Sequence, residues 1–243
     1  MDIDFILQEY DDFVGMRDYE RGGEFLELAA EAAGQEGDAH AELIVLNELI
    51  GHYRKNDDKE KCLVAIDKTL KAIEEYGSGC ELCVGTAYIN IGTGYTRFGN
   101  PKLALQYFEK AEEIYSVLLN PRDPKWGGLL NNAAAAYEAA GDYAEAKERF
   151  ERAFRLMSAL DKNEDAAVSL VNLAELAELT GSSDMIKSYL DRAYYLLDIV
   201  RERGGYYAFV CEKCAPAFLH FGDEKRGEKL LQRAAAIYEE NSK

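Results

Sequence analysis

The fold is decided by a stretch near the middle of the chain, Leu130-Asn131-Asn132-Ala133-Ala134-Ala135-Ala136-Tyr137. A stretch 42 residues earlier has a similar pattern of apolar, Asn, small and Tyr positions, Tyr88-Ile89-Asn90-Ile91-Gly92-Thr93-Gly94-Tyr95. A turn glycine follows each of them, Gly141 and Gly99 respectively. Apolar residues recur at three- and four-residue spacing on both sides of each glycine, which is typical of two amphipathic helices joined by a tight turn. The stretch therefore predicts a helical hairpin that occurs more than once.

The same register extends over nearly the whole chain. It predicts turns at Arg17, Asp57, Gly99, Gly141, Gly181 and Gly222, which are 40 to 42 residues apart. We therefore expect six hairpin units, at about 3–36, 43–76, 85–118, 127–160, 167–200 and 208–241. Repeats of this length indicate a solenoid. The predicted fold is all-α, a right-handed α-α superhelix of about six hairpins that fills residues 1–243 as a single domain.

The repeat resembles the tetratricopeptide repeat. The shared pattern is a large apolar residue followed by small-x-x-Tyr in the first helix (helix A), Gly at the turn, and aromatic or Ala positions in the second helix (helix B). Residues 127–160 fit it best and residues 3–36 fit it poorly. The period of 40 to 42 residues, together with Leu130-Asn131-Asn132, is similar to the longer repeats of kinesin light chains. The resemblance implies a scaffold for protein or peptide partners.

The charge balance argues against nucleic acid and membranes as partners. Asp and Glu number 45 against 28 Lys and Arg, and the net charge of −17 opposes binding to phosphate backbones and anionic lipids. A secretory leader has a basic region followed by a long apolar stretch, and the first residues of this sequence have neither. Five cysteines without a disulfide framework are typical of a reducing compartment. We therefore expect a cytoplasmic protein.

The resemblance implies where a partner would bind. In tetratricopeptide solenoids helix A lines the concave groove, and an Asn six residues into the repeat often bonds the backbone of a bound peptide. An amide suits this role because it offers both a donor and an acceptor. The predicted peptide-binding residues are Asn90, Asn132 and Asn172 at this position, with Asn131, Thr93 and Arg97 adding selectivity. The alternative is that these Asn side chains orient neighbouring helices.

Two Cys-x-x-Cys pairs occur, Cys80 with Cys83 and Cys211 with Cys214. A structural zinc site needs four ligands at ~2.3 Å, and pairs three repeats apart do not meet that condition together. Cys211 and Cys214 fall on positions of buried apolar residues, where free cysteine acts as a small hydrophobe. Cys80 and Cys83 begin a predicted helix, whose N-terminus favours thiolate. Redox activity of this pair therefore stays open.

Signatures of enzymes and metal sites are missing from the sequence. His40, His52 and His220 lie in different units and form no His-x-x-x-His pattern. No serine-nucleophile signature occurs. Gly92-Thr93-Gly94 lies within a predicted helix and not after a strand, which is the wrong context for a phosphate loop. We expect no catalysis, no cofactor and no metal.

The predicted function is a non-catalytic interaction scaffold that binds a peptide or protein segment in its groove. One alternative is a self-assembling, homodimeric solenoid, in which Leu230, Ile237 or Tyr238 form an apolar end. Another is a small-molecule or peptide sensor with a site inside the superhelix. Pro216 lies in the middle of a predicted helix of the last unit and should kink or break it.

Overall fold

The computed structural model describes residues 1–76 and 80–241. Over these residues the chain forms twelve α-helices and no β-strand, which confirms the predicted all-α fold of helical hairpins. Within the same residues, no helix combines the length and apolar character that a membrane crossing requires. The helices divide into two compact units, unit 1 (Met1–Asn120) and unit 2 (Pro121–Lys243). The single domain over residues 1–243 stays a prediction.

Unit 1 consists of three helical hairpins. Its helices are α1 (Ile3–Gly15), α2 (Tyr19–Glu36), α3 (Ala39–Lys55), α4 (Lys59–Tyr76), α5 (Glu81–Arg97) and α6 (Pro101–Leu118). Each odd-numbered helix packs on the helix that follows it, and α3 also packs on α2 and α5. The core between them contains Leu26, Leu46, Ile50, Ile66 and Ile91, all fully or almost fully buried.

Unit 2 is built in the same way. Its helices are α7 (Lys125–Ala139), α8 (Tyr143–Ala159), α9 (Asn163–Leu179), α10 (Ile186–Ile199), α11 (Gly205–His220) and α12 (Glu224–Asn241). Here α9 packs on α7, α8 and α11 as well as on its hairpin partner α10. The core contains Phe150, Leu173, Leu197, Tyr207 and Phe218. The helices A of this unit are therefore α7, α9 and α11.

The predicted turns are confirmed by the backbone. All six turn residues have a positive φ: Arg17 (57°), Asp57 (60°), Gly99 (83°), Gly141 (84°), Gly181 (72°) and Gly222 (80°). The residue after each turn bonds back to the end of helix A, as when the Asp142 N–H donates to the Tyr137 carbonyl at 2.9 Å. The Asp142 carboxylate then accepts the N–H of Glu145 and caps helix B. One short sequence therefore ends helix A and starts helix B.

The last hairpin differs from the sequence-based expectation at two places. α11 continues unbroken through Pro216, because residues on both sides of it, Cys214 and Phe218, are fully buried and hold the helix in place. Leu230 is also fully buried in the core of unit 2, where Ile237 and Tyr238 pack against the same cluster. Leu230 is therefore not part of an apolar end that a second copy would contact.

Candidate peptide-binding surface

Two asparagine amides on neighbouring helices A of unit 2 have no hydrogen-bond partner among residues 1–76 and 80–241. Asn132 lies on α7 and Asn172 on α9, and both are half-buried. Neither side chain makes a hydrogen bond or an ion pair with any described residue. Each amide therefore has its donor and acceptor groups available to a ligand or to water.

Two other asparagines at or beside the same repeat position are used within the scaffold. The Asn131 Nδ2 donates to the Ser169 Oγ at 3.0 Å, which joins α7 to α9. The Asn90 Nδ2 donates to the Asn47 Oδ1 at 3.4 Å, which joins α5 to α3. These contacts match the orienting role that the sequence left open as an alternative. The sequence pattern does not separate these two asparagines from Asn132 and Asn172.

The remaining predicted site residues lie on α5 of unit 1. The Thr93 Oγ1 donates to the Ile89 carbonyl of the same helix at 2.7 Å. The Arg97 Nη2 lies 3.0 Å from the Asp57 Oδ1 at the surface. Thr93, Arg97 and Asn90 thus belong to unit 1, whereas Asn131, Asn132 and Asn172 belong to unit 2. A peptide contact that involves all six stays a prediction.

Charged groups of both signs lie on the three helices A of unit 2. Burial and the nearby Glu175 carboxylate raise the pKa of Glu138, on α7, to about 7. Glu175, on α9, also interacts with Lys213 on α11. We define the A-helix surface of unit 2 by the side chains of Asn132, Glu138, Asn172, Glu175 and Lys213. It offers hydrogen-bonding amides and carboxylates with one cation, a composition that suits a polar peptide backbone and its side chains.

The cysteines are only partly as the sequence predicts. Cys211 and Cys214 are fully buried and free, and burial raises the pKa of Cys214 to about 12, so their role in the core is confirmed. Cys80 and Cys83 instead form a disulfide, with an S–S distance of 2.08 Å. The sequence left the redox activity of this pair open and did not predict the bond between the two sulfurs. The reason is local, because Cys80 caps α5 and Cys83 lies in the first turn of that helix.

The structure also brings to this pair a histidine, His40, that is not among the predicted site residues. A ring nitrogen of His40 and the sulfur atoms of Cys80 and Cys83 all lie within 4.8 Å of one another. The signal is present in the sequence, since His40 and the two cysteines are about one repeat apart. Residues separated by one repeat lie side by side on neighbouring helices A, here α3 and α5.

Comparison with known proteins agrees with the hairpin fold. Residues 128–197 match the family model of the tetratricopeptide repeat. Residues 128–197 therefore contain tetratricopeptide repeats. The matched tetratricopeptide segment runs from α7 into α10 and includes Asn131, Asn132 and Asn172. Tetratricopeptide repeats are in general scaffolds for protein–protein interaction, and the fold of this chain supports that general role.

Solved structures with the tetratricopeptide fold cover most of the chain. The crystal structure of BtubC (BKLC) from P. vanneervenii is 18% identical, has a TM-score of 0.64, and matches over 90% of this chain and 90% of that chain. A Podosopora anserina protein with nearly identical TPR-like repeats of the kinesin light chain type is also 18% identical, with a TM-score of 0.56 over 82% of this chain and 96% of that chain. At these identities the likeness shows the fold alone.

A curated relative matches a shorter part of the chain. The clustered mitochondria protein homolog of Aspergillus clavatus is 25% identical over 133 residues, which is 54% of this chain. This match spans 11% of the length of that protein. The chain is thus similar to a small part of a much larger protein.

Proposed function

We propose that the protein is a non-catalytic scaffold and that the A-helix surface of unit 2 binds an extended peptide or protein segment. The amides of Asn132 and Asn172 bond the main chain of that segment. The observation that carries this proposal is that these two amides have no partner in the part of the chain that the structure describes, whereas Asn131 and Asn90 bond between helices. Half-buried amides gain from a partner that satisfies both their donor and their acceptor.

The neighbouring charges support a polar partner segment. Glu138 and Glu175 present carboxylates on adjacent helices, and Lys213 presents an ammonium group on the third. Such groups select the side chains of a segment, while amides bind its backbone without regard to sequence. Selectivity therefore resides in the charged residues of the surface and affinity in the two asparagines.

The test is a peptide selection followed by affinity measurements. Peptides selected from a random display library on the full chain are measured by calorimetry against wild type and the double variant Asn132→Ala/Asn172→Ala. Two neutral hydrogen bonds contribute about 0.5–1.5 kcal/mol each, so we expect Kd to rise roughly 5- to 150-fold. The thermal unfolding midpoint should stay within about 2 °C of wild type, since neither amide bonds to any residue that the structure describes.

The matched control removes an amide from a helix B. Gln232 is exposed on α12, and Gln232→Ala should leave the affinity of the same peptides unchanged. If the double variant and wild type bind the peptides with equal affinity, the peptides bind elsewhere and the proposal is refuted. A double variant that unfolds much earlier than wild type would assign Asn132 and Asn172 a structural role instead.

A further inference from the structure

Two cysteines and a histidine meet at one place in unit 1. Cys80 is the N-cap of α5, and the Cys83 backbone N–H donates to the Cys80 Sγ at 3.3 Å. The two Cα atoms are 5.2 Å apart and the sulfurs are bonded. His40 lies in the first turn of α3, and its ring nitrogen and both sulfurs lie within 4.8 Å of one another.

These three residues are accessible and are held by packed helices. His40 is exposed and the two cysteines are half-buried, whereas the other three cysteines of the chain are buried. Below them Leu43 of α3 packs with Val84 and Ala87 of α5, and Cys83 packs against the same cluster. The starts of the two helices are therefore fixed relative to each other, so that the three ligand atoms have little freedom to separate.

We propose that His40 and the reduced thiolates of Cys80 and Cys83 form a binding site for a thiophilic divalent metal ion of the zinc class. Thiolate sulfur and imidazole nitrogen are the ligands that Zn²⁺ prefers. Two sulfurs bound to one tetrahedral zinc at ~2.3 Å lie about 3.7 Å apart. The three ligand atoms already lie within 4.8 Å of one another. Water completes the fourth position.

Reduction must precede binding of the metal. A dithiol donates two electrons and two protons to the Cys80–Cys83 disulfide, whose S–S bond breaks to give two thiols, while the dithiol closes its own disulfide. The metal ion then displaces both thiol protons to solvent and bonds to the two thiolates, and the neutral His40 nitrogen donates its lone pair. Backbone N–H groups at the start of α5 favour the thiolate form of Cys80. The disulfide form has no thiolate to offer, so metal binding depends on the redox state of the pair.

The experiment titrates Co²⁺ and then Zn²⁺ into the full chain, after reduction by a dithiol that is removed before the titration. Thiolate-to-cobalt charge-transfer absorption reports the bonds to sulfur, and competition by Zn²⁺ gives its Kd. We expect one metal per chain in the reduced wild type and no charge-transfer band in the oxidised chain. His40→Ala should weaken binding by more than about 100-fold, because even outer partners of a metal ligand contribute 10–100-fold.

Two further variants separate the site from misfolding and from unspecific binding. Cys80→Ser/Cys83→Ser should abolish the charge-transfer band, while Ser at position 80 keeps a hydroxyl that caps α5 and so keeps the helix. His220→Ala removes an exposed histidine of unit 2 and should leave the Kd unchanged. A reduced wild type that shows no charge-transfer band would overturn the proposal. An unchanged Kd in His40→Ala, with both cysteines present, would overturn it as well.

Discussion

Replacement of Gly92 by Ala tests how closely the two helices of a hairpin approach. Gly92 lies on α5, and a Cβ at this position would lie 2.8 Å from the Cζ and 2.9 Å from the Cε1 of Phe108 on α6. Contacts this short do not occur between real atoms, so the ring or a helix has to move. Phe108 is only 3% exposed, so its ring has no free space to enter. The Gly92→Ala variant therefore overpacks the contact between α5 and α6.

The expected magnitude is the difference of two effects. Overpacking of a well-packed core costs about 1–3 kcal/mol, and two ring atoms under 3 Å place this position in the upper part of that range. Replacing Gly by Ala inside a helix by itself raises the free energy of unfolding by about 0.5–1 kcal/mol. We therefore expect Gly92→Ala to lower the free energy of unfolding by about 1–2.5 kcal/mol.

The control is Gly51 on α3 of the same unit, where an added Cβ meets nothing within 4 Å. Gly51→Ala should raise the free energy of unfolding by about 0.5–1 kcal/mol. Urea unfolding followed by far-ultraviolet circular dichroism measures both variants against wild type. If Gly92→Ala stabilises the protein as Gly51→Ala does, the close approach of α5 and α6 is refuted.

Three further outcomes are expected. Phe150→Ala should lower the free energy of unfolding, measured by urea unfolding, by about 3–5 kcal/mol, because Phe150 is 1% exposed in the core of unit 2. A loss under 1 kcal/mol would contradict this. Asn131→Ala should cost about 0.5–1.5 kcal/mol in the same assay, because the hydrogen bond that the Ser169 hydroxyl accepts is lost, and no loss would contradict the α7–α9 contact. Between pH 4.5 and 7 folded Glu138 keeps a proton that the unfolded chain has released. The free energy of unfolding therefore falls as pH rises through this window, and it should fall by about 1–3 kcal/mol more in wild type than in Glu138→Gln. Equal pH profiles of the two proteins would refute the raised pKa of Glu138.

The fold was predictable because its signal is periodic and local. The turn residue Gly141, for example, is followed by Asp142, which caps the next helix, and both act on backbone groups within five residues. The effect of Pro216 was not predictable from local rules, because tertiary packing of α11 outweighs the missing backbone donor.

For the candidate peptide-binding surface, the sequence predicted which repeat positions carry asparagine but not which of these side chains bond within the protein. Asn131 and Asn132 are adjacent in the sequence, yet only Asn131 reaches Ser169 on the next helix, and that contact depends on how α7 packs on α9. The approach of His40 to Cys80 likewise depends on the packing of α3 on α5. Sequence periodicity predicts where a residue lies along its helix. Which neighbouring residue its side chain contacts depends on how the helices pack.

The measurement that tests the central claim most directly is photo-crosslinking of a selected peptide to the full chain. A benzophenone amino acid replaces Leu179, which is exposed at the end of α9 and lies two turns from Asn172 on the same face. In the control it replaces Tyr195, which is exposed on α10, a helix B. We expect the peptide to crosslink from position 179 and not from position 195. Crosslinking from 195 alone would contradict binding at the A-helix surface of unit 2.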